Sequence, residues 1–369
     1  MESDGDGVVL PRSHTWLRTS AIIAFVVIGL AVPFLISSAR LSLLALVWIT
    51  AIVVLGMTFI ISNTGLVSLG QAALTASGAY VLAILMNNLG VPFYGALVGA
   101  ALAGGVVGLI YALPSVRVRG PYFAIVTIIL GGAVPQIVNL ASGVTGGDNG
   151  VYLTSPSFGP LTASASSYYL AFVLLVISLW FCANLQNSGF GRALRIIKAH
   201  PVAATAYGIN VLRVQTVGVT VGNVLAGLGG GLLALHVGGV APGNFTLDTS
   251  SYYLIGAVVG GSTSVFGAVV GAGLVEIVLN ELAGAGYYAN IVLGVVLVAT
   301  LTFLPNGLVG LLGTVWNSVR SKWSNRWGIP APTPPAYSAE SPHVGSRTHP
   351  DAEKSEVLRG EQKEPQGRG

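Results

Sequence analysis

Residues 42–61 read SLLALVWITAIVVLGMTFII, twenty residues without a single Asp, Glu, Lys or Arg. As an α-helix such a run extends about 30 Å, the thickness of a bilayer's hydrocarbon core. It reads as a membrane span, and comparable runs recur near residues 19–38, 69–87, 93–113, 122–140, 167–185, 213–236, 265–283 and 288–305. The composition agrees. Of the 369 residues 53% are hydrophobic and 8% charged, where a soluble domain carries about 25% charged residues. Five of the charges fall in the first 18 residues and fourteen from Arg320 onward, which leaves eleven for everything between. A stretch so poor in charge is solvated by lipid, and the 50 glycines suit close helix packing there. A soluble enzyme is excluded.

The net charge of +4 does not point to nucleic acid, because the basic residues are not gathered on one surface with interleaved aromatics. Cys182 is the only cysteine, which rules out an intramolecular disulfide and a cysteine-ligated metal. The histidines at 14, 200, 236, 343 and 349 lack ligand spacing, so neither a metal nor another cofactor is expected. The chain reads as an all-α polytopic membrane protein in three parts. These are an N-terminal segment, 1–18, retained rather than cleaved; a transmembrane domain, 19–319; and a tail, 320–369. Seven prolines and mixed charge in that tail predict disorder.

One shorter apolar run, SYYLIGAVVGGS at 251–262, is too brief to cross alone. Broken helices of this kind persist only where protein or a cavity satisfies the backbone. Counting it as a crossing places Arg117, Arg119, Arg192, Arg195, Lys198, Arg213, Arg320, Lys322 and Arg326 on the cytoplasmic side and misplaces only Arg40. The prediction is therefore about ten membrane passes, one of them a half-helix, with both termini cytoplasmic. GAYVLAILMNNL from Gly78 and GAGLVEIVLNEL from Gly271 form a faint internal echo. Two similar halves are common in transporters, but shared apolar composition accounts for this match better than a repeat does.

No Gly-Lys-Ser/Thr loop is present to cradle ATP phosphates, so any ATPase must be a separate polypeptide. Glu276 is the one carboxylate well inside an apolar run, either a functional group or a side chain that snorkels to the interface. Gln71 and Thr127 are polar groups within spans, suited to lining a pathway or to bonding between helices. The outer stretch 141–166 holds Thr145-Gly146-Gly147-Asp148-Asn149-Gly150, readable as a backbone nest, a gate or a surface turn. The basic stretch 186–212 carries Gly191, Arg192, Arg195 and Lys198, then Ala203, Ala204 and Gly208. Small residues on a short helix allow a partner to dock closely; an ordinary basic loop is the plainer alternative.

Five segments taken together resemble the LivM-type permease family of branched-chain amino acid ABC importers. They are GLVSLGQAALTASGAY (65–80), RGPYFAIVTI (119–128), TGGDNGV (145–151), GRALRIIKAHPVAATAYGIN (191–210) and VVGGSTSVFGAVVGA (258–272). The resemblance covers most of the membrane region and implies a type II ABC importer-like permease in the cell inner membrane. It implies as partners a second permease of LivH type, two cytoplasmic ATPases and an external substrate-binding protein. Leu, Ile and Val are the implied cargo, with urea, short amides or another small solute as the alternative. The stretch around Gly191, Arg192, Arg195, Ala203, Ala204 and Gly208 then corresponds to the ATPase-docking loop. Gln71, Tyr122, Thr127 and Thr145, with Gly146, Gly147 and Asp148, become candidates for the pathway or its gate. One departure stands out: an acidic residue commonly precedes the paired alanines in the family, whereas here His200, Pro201 and Val202 stand there.

Overall fold

The computed structural model describes residues 25–34, 36–117, 122–153, 162–261, 264–282, 288–303 and 307–310. The expected segment 1–18, the tail 320–369 and Arg119 lie outside the described residues. Helices dominate: α1 (Phe25–Phe34), α2 (Ser38–Thr64), α3 (Gln71–Leu89), α4 (Phe93–Ser115), α5 (Tyr122–Leu140), α6 (Ser142–Thr145) and α7 (Ala163–Asn187). They continue as α8 (Gly189–Ala199), α9 (Pro201–Ala206), α10 (Val211–Val237), α11 (Leu247–Gly260), α12 (Gly267–Glu281) and α13 (Tyr288–Phe303). Six of them, α2, α3, α4, α5, α7 and α10, are long and apolar enough to cross a membrane. The expected spans 265–283 and 288–305 appear as α12 and α13, and the short run 251–262 as α11.

Local chemistry sets the ends. Thr162, Asn210 and Thr246 accept hydrogen bonds from main-chain N–H groups in the first turns of α7, α10 and α11. Helices α2, α3 and α10 stop at Gly65, Gly90 and Gly238, each in the left-handed region, where a side chain is penalised.

Helix α10 lies at the centre and packs on α2, α3 and α4. Small residues at four-residue spacing allow this. Ala100, Gly104 and Gly108 of α4 face Asn223, Gly227 and Gly231 of α10; a Cβ on Gly104 would lie 2.5 Å from the Asn223 carbonyl oxygen. The pair α11–α12 is closer still. Gly256 and Gly260 meet Gly267 and Gly271, and a Cβ on Gly271 would lie 1.9 Å from the Gly256 carbonyl oxygen. In lipid, helices associate through such packing because lipid tails are as apolar as leucine.

The bundle has two distinct ends. At one, Val151–Tyr152 (β1) and Gly239–Val240 (β2) form a two-residue antiparallel ladder, with Val151 opposite Val240. Asn87 Nδ2 at the close of α3 donates to the Tyr152 carbonyl at 2.8 Å, and Leu153 N donates to the Gly238 carbonyl at 2.9 Å. At the other end, α8 and α9 lie beneath the end of α2. There Lys198 Nζ donates to the Ile61 and Ser62 carbonyls at 3.1 and 2.9 Å.

Gly271→Leu forces backbone apart where no side chain can yield, and overpacking a tight core costs about 1–3 kcal/mol or more. We expect a lower melting temperature in detergent and a broadened elution profile. Gly294→Leu, at a site with open space around its Cβ, should leave both unchanged.

Candidate functional site

Helix α3 does not start at the bundle surface. After α2 ends at Thr64, residues 65–70 lead back into the interior, and the backbone turns at Gly70, where a Cβ would lie 2.6 Å from the Thr127 carbonyl oxygen. Leu69 N donates to Thr127 Oγ1 at 3.1 Å, and that hydroxyl donates to the Ala124 carbonyl at 2.8 Å. Ala72 N donates to Ser250 Oγ at 3.0 Å, in the first turn of α11. The buried start of α3 therefore meets Ser250, in the first turn of α11, beside α5, while Leu247 and Asp248 at the very start of α11 are exposed. The expected half-helix is thus one side of a break whose other side is the start of α3.

Gln71 sits at this junction with 0% of its surface exposed, and neither its amide nitrogen nor its amide oxygen has a hydrogen-bond partner. A buried polar group left unpaired costs about 1–3 kcal/mol. Such groups persist where they meet a ligand or water in another state. Beside the break lies a cavity of about 80 Å³ with Ala72, Ala73, Gly131, Phe245 and Ser250 in its wall. Thr127 lies at the break with Gln71. Tyr122, at the start of α5, is 64% exposed and is not part of this junction.

A second polar chain crosses the bundle nearby. Thr50 Oγ1 of α2 donates to Glu276 Oε1 of α12 at 2.5 Å, and buried Tyr253 of α11 lies beside both Glu276 and Thr75. Thr75 Oγ1 in turn donates to the Gln71 carbonyl at 2.9 Å. Glu276 is thus held between helices rather than reaching for the interface. Ser250, Tyr253, Thr50 and Thr75 were not singled out from the sequence; hydroxyls in apolar helices are common, and only the fold brings these four together.

The glycine motif occupies the end of the bundle near the ladder. Thr145 is buried, and its hydroxyl donates to the Val138 and Ala141 carbonyls at 2.6 and 3.0 Å while accepting from Gly147 N at 3.3 Å. Gly146, Gly147 and Gly150 all have positive φ. A Cβ on Gly150 would lie 2.1 Å from the Val240 oxygen, so a side chain there would wedge the ladder open. Asp148 is exposed. The motif therefore folds as a tight turn that joins α5 to β1.

At the far end, α8 buries Gly191, Leu194 and Ile197 and exposes Arg192, Arg195 and Lys198. Ser188 accepts from Gly191 N at 3.3 Å, and Gly191 is pressed so closely on α7 that a Cβ would lie 2.3 Å from the Gln186 oxygen. Pro201 opens α9 at its first position, where no N–H is needed. Ala204 is fully buried, whereas Ala203 is exposed and Val202 and Tyr207 are 78% and 82% exposed. Gly208 adopts φ +75 with open space around it. Packing against Gly65 takes part of the Lys198 side chain out of water, which lowers the pKa of its ammonium.

A bundle with six helices long and apolar enough to cross a membrane, a break in its interior and a basic loop at one end is the architecture of a multi-pass membrane protein. The family described as the branched-chain amino acid transport system permease component matches residues 39–301, and the chain belongs to that family. The LivM high-affinity branched-chain amino acid transport system permease protein of Salmonella typhimurium is 28% identical over 314 residues. That alignment covers 78% of this chain and 74% of the relative. Its Escherichia coli counterpart is 27% identical over the same shares. A protein of Methanocaldococcus jannaschii described as a probable branched-chain amino acid transport permease protein LivH is 24% identical over 70% of this chain and 87% of its own. No solved structure matches the chain.

Gln71→Met keeps an unbranched side chain of similar reach and removes the unpaired amide. We expect a higher melting temperature in detergent together with reduced uptake by the assembled transporter. A lower melting temperature would mean that the amide is already satisfied within the folded chain.

Proposed function

We propose that this protein is the LivM-type permease subunit of an ABC importer that carries leucine, isoleucine and valine across the inner membrane. The observation that carries the reading is the family match from the start of α2 into α13, which includes the interior break and the basic loop. ATP is hydrolysed on two separate cytoplasmic subunits. A LivH-type second permease completes the channel, and an external binding protein delivers the substrate.

The charge distribution supports the orientation. Among the described residues Arg117, Arg192, Arg195, Lys198 and Arg213 gather at the end formed by α8, α9 and the start of α10. Asp148, Asp248, Glu276 and Glu281 lie on other elements. The positive-inside rule turns that basic end toward the cytoplasm and the β1–β2 end outward. In this topology the chain makes ten passes, α11 being the half-crossing, with segment 1–18 and tail 320–369 both cytoplasmic. Helix α5 offers the surface for the second permease. Its most apolar window is 17% buried within the chain, against 78% for α2, and Gln136 is exposed on it, a costly arrangement against lipid.

Transport follows alternating access. When the ATPases close on ATP, they move α9 through its exposed Ala203 and Tyr207. The fixed packing of Gly191, Leu194 and Ala204 passes that motion to α7 and α2. The interior break, where Gln71 awaits a partner, is where the pathway opens. A zwitterionic apolar amino acid needs a few aimed polar groups there and no fixed counter-ion.

Reconstitution with the two ATPases, the second permease and the binding protein should show ATP hydrolysis stimulated by leucine, isoleucine or valine. Stimulation only by another solute would overturn the cargo. Ala204→Trp overfills a closed site, and Gly208→Val puts a branched side chain in the left-handed region at a cost of about 1–2 kcal/mol. Both should abolish uptake while the chain remains membrane-inserted; unimpaired uptake in both would remove the coupling role from α8–α9.

A further inference from the structure

Beneath the α8–α9 loop lies a cavity of about 690 Å³, a volume typical of small-ligand sites. Its wall is assembled from the end of α2, the end of α4, α8, α9 and the start of α10. Two cations line it, Arg117 and Lys198. Two of the three ammonium protons of Lys198 are taken by the Ile61 and Ser62 carbonyls, which leaves one. Arg117 is exposed, and among the described residues no carboxylate pairs with either. Thr205 and Gln215 add polar groups, while Leu66 and Leu212 make the rest apolar.

A cavity with two uncompensated cations and an apolar wall, placed where the bundle's helices end, has the chemistry of a phosphate carried on a hydrocarbon body. Guanidinium and phosphate pair in bidentate fashion, and basic pockets at helix ends beside an anionic leaflet hold lipid head groups. We propose that this cavity binds the phosphate of an anionic membrane lipid. Arg117 and Lys198 grip the phosphate, and Leu66 and Leu212 face the glycerol and upper acyl chains. Pro201, Val202 and Thr205 of α9 line the same cavity, so an occupant braces the loop from behind. The binding stands apart from the transport assignment. Its effect on turnover rests on the coupling role of α9.

The test is native mass spectrometry of the full-length chain in detergent. The protein is titrated with phosphatidylglycerol and phosphatidylcholine of matched acyl chains, with inorganic phosphate as competitor. One phosphatidylglycerol should be retained in preference to phosphatidylcholine, and Arg117→Gln should weaken it about fivefold, the contribution of one basic residue at an anionic surface. Arg117→Lys should keep the preference for phosphatidylglycerol over phosphatidylcholine. Arg213→Gln removes a charge at the same end but outside the cavity, and should change nothing. Equal retention of the two lipids, or equal effects of R117Q and R213Q, would overturn the site. Displacement of the lipid by millimolar phosphate would assign the cavity to a soluble anion and overturn the lipid. If R117Q instead released the ATPase subunits and left lipid retention untouched, the cavity would be a protein seat and the proposal would fail.

Discussion

Backbone-to-backbone contact between glycine-bearing helices is the constraint on which the rest of this structure depends. Water is not available in lipid to drive helices together, so association rests on how many atoms touch and how closely. Glycine at four-residue spacing lets α10 settle against α4 and α2, and lets α11 lie on α12 with carbonyls where side chains would stand. That closeness is also what admits a half-helix. Leu247–Gly260 has 14 residues, too few to cross alone. Other elements hold it along its length: Ser250 is tied to Ala72, and Gly261 lies against Gly307.

The break that this packing permits gathers the polar atoms. Ser250, Thr127 and the first turn of α3 satisfy one another, whereas the Gln71 amide is left over. A second chain runs from Gln71 through Thr75 toward Tyr253, Glu276 and Thr50. It joins α3, α11, α12 and α2, so a change at the break is felt by the helices that pack on it. In a low-dielectric interior such a chain is strong where complete and costly where it is not. The Gln71 amide is one of several buried polar groups without a partner, and it is the one that stands at the break.

Much of the fold could be read from hydropathy, because each span is a local property. The run 122–140 coincides with α5, and 93–113 and 213–236 differ from α4 and α10 by only one or two residues. The loop 186–212 showed its helical character through small and basic residues, and in the fold Pro201 opens α9. Contacts between distant residues were not legible. Nothing near Thr50 announces Glu276, and nothing in Thr145–Gly150 announces that the glycines exist to let β1 reach β2. Gln71 was legible as a polar group in a span, but its lack of a partner depends on six neighbouring residues re-entering the bundle.

The two ends of the bundle are held by different kinds of bond, and this bears on where it can move. Near the ladder, main-chain hydrogen bonds join β1 to β2 and to Gly238, with Asn87 reaching Tyr152 and Ser42 close to His236 at 3.2 Å. Breaking that end means losing several bonds at once. At the α8–α9 end the side chain of Lys198 rests on two carbonyls of α2, and buried Leu194 of α8 packs at Gly218 beside Thr64. Below it α8 is fixed to α7 by Gly191, but α9 presents an open face and borders a large cavity. A segment with few buried contacts and exposed backbone opens at low cost. The two ends are thus held differently, by several main-chain bonds at the ladder and by side-chain packing around α8 at the other.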